Sequence, residues 1–79
     1  MNTVTISMSN LNDIYEFVRR AMLVEGDITL SRGKYAVDAK SLLGVFSIDL
    51  SKDTLLTYPT NAEDFEDFIT SFVKDFNKA

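Results

Sequence analysis

Six apolar residues, Phe65, Phe68, Ile69, Phe72, Val73 and Phe76, stand at i, i+3, i+4, i+7, i+8 and i+11. That spacing draws one unbroken stripe along an α-helix, and a helix with a single apolar stripe must rest on something. Thr60 and Asn61 are the expected caps of this helix. Glu63, Asp64, Glu66 and Asp67 follow near its N-terminus, with Lys74 and Lys78 toward its C-terminus, the charge order that the helix dipole favours. A chain of 79 residues has room for one small core, so residues 1–79 read as a single domain and the surface under this helix must come from the residues before it.

Those residues alternate between two periods. From Thr3 to Met8, Val4, Ile6 and Met8 lie on one side and Thr3, Thr5 and Ser7 on the other, the pattern of a half-buried strand. Ser9 and Asn10 then cap a helix predicted from Leu11 to Leu23, whose apolar face is Leu11, Ile14, Phe17, Val18, Ala21 and Met22, with Glu16 and Arg20 spaced for an ion pair. Gly26 ends it. Asp27 to Ser31 alternates again with Ile28 and Leu30 inward, and Arg32, Gly33 and Lys34 connect it as a hairpin to Tyr35, Ala36 and Val37. The run from Ser41 to Leu50 fits both periods imperfectly and is read as a short helix opened by Ser41. Thr54 to Tyr58 forms the last strand, Leu56 and Tyr58 facing the core, and Pro59 closes it. The predicted order is β-α-β-β-α-β-α. Thr3, Thr5, Ser7, Thr29, Ser31, Asp38 and Thr57 make one polar face, so the expected fold is α+β: a four-stranded antiparallel sheet with three helices on one face and water on the other.

Composition narrows the chemistry. The chain has no cysteine, which removes disulfides, thiolate metal sites and cysteine nucleophiles, and no histidine, which removes the commonest general base and metal ligand. No metal and no cofactor are expected. A net charge of -4 repels polyanions on average, so nucleic acid is an unfavourable partner. No apolar run approaches the roughly 20 residues that cross a bilayer, and the N-terminus lacks a charged start before an apolar core. A cytoplasmic protein, not inserted in a membrane and monomeric, is the expectation.

Three features merit weighing as sites. The acidic cluster Glu63, Asp64, Glu66 and Asp67 lacks the glycine turn and oxygen spacing of a calcium loop and reads as a solvated helix face. Arg19, Arg20, Arg32, Lys34 and Lys40 are five of the eight basic residues and precede the acidic half, an asymmetry that suits an acidic partner but is also ordinary on exposed surfaces. The segment Asp38 to Ser47 puts a hydroxyl at a helix start beside Lys40 and before Leu42, Leu43, Val45 and Phe46. A helix this short buries one face, so at least one of Leu42, Leu43 and Phe46 is expected at the surface, Leu42 first. The residues alone leave two readings: a docking patch beside a modifiable serine, or a cap followed by core.

Lys40-Ser-Leu-Leu-Gly-Val45 resembles the regulatory-serine motif of HPr, the histidine-containing phosphocarrier of the bacterial sugar phosphotransferase system. Asp27-Ile-Thr-Leu30 is similar to that family's second strand, Val18 and Ala21 to its first-helix positions, and the element order to its open-faced β-sandwich. In ungapped register the family's phosphoryl-accepting histidine falls on Asn10, its neighbouring arginine on Asn12 and the following proline on Asp13. A carboxamide is not a nucleophile toward a phosphoryl donor, and Asp13 brings negative charge to a phosphate site. Ser41 matches the serine that the family's kinase phosphorylates. The resemblance therefore implies a non-enzymatic protein with no histidine relay, regulated at Ser41. Its implied contacts are Lys40, Leu42, Leu43 and Phe46, and its implied partners are proteins of the phosphotransferase or carbon-regulation system and a serine kinase. The alternatives are a carrier that uses Asp13 as acceptor, or an interaction module that has lost both sites.

Overall fold

The computed structural model describes residues 1–77. The chain runs β1 (Asn2–Ile6), α1 (Leu11–Met22), β2 (Thr29–Arg32), β3 (Tyr35–Asp38), α2 (Leu42–Phe46), β4 (Thr54–Tyr58) and α3 (Glu63–Ile69), then through a 3-10 turn (Thr70–Phe72) into β5 (Val73–Asn77). The strands form one antiparallel sheet in the order β3-β2-β4-β1-β5. Val4, Leu56 and Leu30 lie in one cross-strand row, and all three are buried with Ile6, Ile28 and Tyr58 against Phe17, Val18 and Ala21 of α1, Val45 of α2, and Phe65 and Ile69 of α3. The other row, Thr3, Thr57 and Thr29, is the polar face, with the Thr3 and Thr57 hydroxyls 3.3 Å apart.

Each helix start has a local cause. Asn10 is extended at φ -80, ψ 125, and its Oδ1 accepts the backbone N–H groups of Asn12 (2.8 Å) and Asp13 (3.3 Å), satisfying two of the four free donors of α1. Ser41 does the same for α2, its Oγ accepting the Gly44 N–H at 3.1 Å. Gly33 turns the β2–β3 hairpin at φ +59, a conformation that an L side chain adopts with strain.

The C-terminal region departs from the sequence expectation. The long final helix to Phe76 is replaced by a seven-residue α3, a 3-10 turn and a fifth strand paired with β1, so the sheet has five strands, not four. Helical periodicity loses here because Thr70, Ser71 and Val73 are weak helix formers, while the outer edge of β1 offers a row of backbone partners. Thr70 Oγ1 donates to the Glu66 carbonyl at 2.8 Å and satisfies one acceptor at the helix end. The expected start also shifts. Thr60 and Asn61 lie in a turn in which Ala62 N–H meets Pro59 O at 3.3 Å, and Ala62 takes the cap position with no side-chain bond. Lys78, placed on that helix by its spacing, lies outside the described residues. The run from Ser41 to Leu50 is helical only over Leu42–Phe46, four residues short of its end, and the other elements fall within two residues of their predicted ends.

Candidate functional site

The two capped helices α1 and α2 lie side by side, and their exposed apolar residues form the site. Leu42, Leu43 and Phe46 are 36 %, 84 % and 45 % exposed, while Val45 between them is buried. All three reach the surface, with Leu43 rather than Leu42 foremost. The cause is geometric: one turn of helix directs Val45 into the core and leaves the flanking positions outward. Ser47 Oγ closes the helix by donating to the Gly44 carbonyl at 2.6 Å.

α1 supplies a second half: the sequence reading placed Leu11 and Met22 on the buried apolar face and did not name Tyr15. Leu11, Tyr15 and Met22 are exposed, and the Tyr15 ring meets Phe46 edge-on at 5.7 Å and 69°. The signal was present in the spacing. Leu11, Tyr15 and Met22 form a stripe beside Ile14, Phe17, Val18 and Ala21, and the two together are wider than one buried face. Beneath Phe46 an open groove of ≈ 460 Å³ has an apolar floor of Met8, Ile14, Val45, Ile48 and Leu50 and a polar rim that includes Ser9 and Asp49. Asp49 accepts the Ser51 hydroxyl at 2.6 Å and the Ser51 N–H at 3.1 Å, and these bonds hold its carboxyl below the usual range.

The structure separates the polar residues named from sequence. Ser41 is exposed at the start of α2, with only its cap bond to Gly44 shown. Lys40 does not stand over it: the ammonium donates to the Val24 carbonyl at 2.6 Å, just past the end of α1. Asn10 and Asn12 are exposed in and beside the α1 cap. Asp13 is half-buried in the first turn of α1, on the opposite side of that helix from Tyr15 and so turned away from α2. Arg19 and Arg20 both bond Glu16, at 2.6 and 2.8 Å, and lower its carboxyl to about 2; Arg20 also lies over the Phe68 ring at 4.6 Å.

Among the acidic cluster only Glu66 departs from a solvated face, accepting the Tyr58 hydroxyl at 2.6 Å and the Asn2 amide at 3.2 Å. No group of three potential metal ligands exists among the described residues, and no described helix is long and apolar enough to cross a membrane.

No family model matches the chain, and no curated protein matches it. A solved structure does: the phosphocarrier protein HPr from Bacillus anthracis str. Ames aligns over 91 % of this chain and 93 % of its own, at 26 % sequence identity and a TM-score of 0.64. The chain is HPr-like. β5 is a fifth strand beyond the four expected from sequence. Asn10 and Ser41, which the sequence resemblance sets against the family's acceptor histidine and regulatory serine, are the caps of α1 and α2.

Proposed function

We propose that this HPr-like protein is a regulatory binding partner in the phosphotransferase or carbon-regulation network, read through Ser41 and the α1–α2 surface, and not a phosphoryl relay. The observation that carries the reading is the state of Ser41. It is exposed, it heads α2, and it adjoins the apolar patch of Leu42, Leu43 and Phe46. Phosphate at this hydroxyl adds about -1.5 to -2 charge beside a docking face, changing which partners the face accepts. Lys40 assists as a neighbouring cation only after leaving the Val24 carbonyl.

The relay half of family chemistry is missing. The chain contains no histidine, and the side chain of Asn10 is committed to two backbone N–H groups. Asp13 faces away from α2, so nothing in the geometry favours it as a substitute acceptor.

The test is phosphorylation with site mapping. Incubation with ATP and the family's serine kinase is expected to add one phosphate, located at Ser41, and to leave Ser41→Ala unmodified. Incubation with phosphoenolpyruvate and Enzyme I is expected to add none. A serine kinase that fully modifies an authentic HPr but leaves this chain untouched would refute the regulatory reading.

A further inference from the structure

Seven basic side chains lie among the described residues, and four of them are engaged within the chain. Arg19 and Arg20 bond Glu16, Lys40 donates to the Val24 carbonyl, and Lys74 meets Asp53. The other three, Arg32, Lys34 and Lys52, make no side-chain hydrogen bond or ion pair among the described residues. The chain is acidic overall, at a net charge of -4, and these three cations stand around one cleft.

The cleft arises because the β2–β3 hairpin outruns α2. Alternation puts Arg32 on the face of Leu30, and its cross-strand partner Tyr35 on the face of Val37. Leu30 is buried in the core, but α2 ends at Phe46, and two residues farther along the hairpin Tyr35 is 76 % exposed while Arg32 is half-buried. An open cleft of ≈ 760 Å³ remains between the hairpin tip, Arg32 to Tyr35, and the loop of Ser47, Ile48 and Asp49 that follows α2. Lys52 stands three residues past Asp49, its backbone N–H donating to the Asp49 carbonyl at 3.3 Å. Asp49 is the one carboxylate among the described residues that line the cleft. It is held ionised first by the Ser51 hydroxyl and N–H and only then by Lys52 and Arg32, so neither cation has it as a bonded partner.

We propose that this cleft docks an acidic segment of a partner protein, whose carboxylates meet Arg32, Lys34 and Lys52 while an apolar side chain of the same segment covers Tyr35. The guanidinium supplies charge-assisted hydrogen bonds to carboxylates, and arginine and tyrosine together are the residues enriched where protein interfaces hold most of their binding energy. A small-molecule site encloses most of its ligand's surface, and this cleft is open, which favours a segment of a larger partner. The net charge of -4 opposes anions over the rest of the surface, so the patch also selects where such a segment lands. This inference does not depend on the role of Ser41.

The probe is a synthetic peptide of glutamates flanking a single phenylalanine, titrated at low salt into the whole chain while its backbone amide resonances are followed. The expected result is saturable shifts centred on residues 32–35 and 47–52, with an affinity that drops on adding salt and drops about tenfold when glutamine replaces the glutamates. Arg32→Gln/Lys34→Gln should weaken binding about tenfold and Tyr35→Ser several-fold. Arg19→Gln/Lys74→Gln removes the same amount of charge elsewhere and should leave the affinity unchanged. Lys34→Gln/Lys52→Gln alters only exposed side chains and gives the same reading if loss of Arg32 disturbs the hairpin. Shifts centred on the α1–α2 surface, equal losses in the two charge-matched double variants, or no binding overturns the proposal. Inorganic phosphate or a single-stranded oligonucleotide that binds the cleft more tightly than the peptide, and is indifferent to Tyr35→Ser, overturns it as well.

Discussion

The Tyr15 ring stands edge-on to the Phe46 ring, 5.7 Å between centroids, and this contact joins the exposed faces of α1 and α2 into one surface. Edge-to-face rings attract through opposed quadrupole regions, by about 0.5 to 1.5 kcal/mol beyond the area they cover. Both rings are nonetheless roughly half exposed, so the pair leaves apolar area open to a partner.

Substitution on this surface should separate folding from binding. Leu43→Ala, at a residue 84 % exposed, is expected to change stability by no more than about 0.5 kcal/mol in urea denaturation. Phe46→Ala should cost about 1 kcal/mol through the lost ring contact. Phe17→Ala, fully buried, should cost about 3 to 5 kcal/mol. A Leu43→Ala loss as large as that of Phe17→Ala would place Leu43 in the core and remove the docking surface.

Much of the sheet was legible because alternation and burial have the same period: Val4, Ile6, Ile28, Leu30, Leu56 and Tyr58 all face inward as expected. The caps Asn10 and Ser41 were legible because capping is local chemistry. β5 was not. Its residues satisfy the helical period, and the unpaired edge of β1 that overrides this period exists only after the sheet has formed. Tyr15 was missed for a related reason, since an apolar stripe records hydrophobicity and not which part of it a neighbouring helix covers. The Tyr58–Glu66 bond joins residues in different elements, and nothing in the spacing of either announces the other.

Glu16 gives an acid-range signature. Arg19 and Arg20 lower its folded pKa to about 2, below the about 4.3 of an unperturbed glutamate. A depressed folded pKa contributes stability that is present above the unfolded value and is lost as pH falls from there through the folded one. The wild type should therefore lose its advantage over Glu16→Gln between about pH 4.3 and 2, as followed by thermal unfolding. Added salt should shrink the difference at neutral pH, because the ion pairs are at the surface.

Tyr58 gives an alkaline one. Burial, and then the Glu66 carboxylate that accepts a hydrogen bond from its hydroxyl, keep the phenol protonated well above the ordinary tyrosine range. A raised folded pKa contributes stability that is complete below the unfolded value of about 10 and is lost as pH rises through the folded one. Phenolate absorbance should show one tyrosine ionising only as the protein unfolds, and Tyr58→Phe should abolish that delayed step. The same variant leaves Glu66 with Asn2 as its remaining side-chain partner and should cost about 1 to 3 kcal/mol at neutral pH.

Ser41 has two roles that compete for one oxygen. Unmodified, its Oγ accepts the Gly44 N–H, and Ser41→Ala should cost about 0.5 to 2 kcal/mol by removing that cap. Ser41→Gly should cost only a few tenths, because glycine lets the backbone and water satisfy the same donor. Comparing the two by urea denaturation therefore isolates the cap from the loss of the side chain itself. Phosphorylation keeps oxygen acceptors at the start of the helix, where negative charge is favoured, so the modified protein should retain its fold while its α1–α2 surface changes partners. Ser41→Asp imitates this with about half the charge and fewer oxygens, and should give an intermediate binding change at nearly unchanged stability. If phosphorylation instead unfolds the protein, the hydroxyl is needed as a cap, and Ser41 is a structural residue rather than a switch.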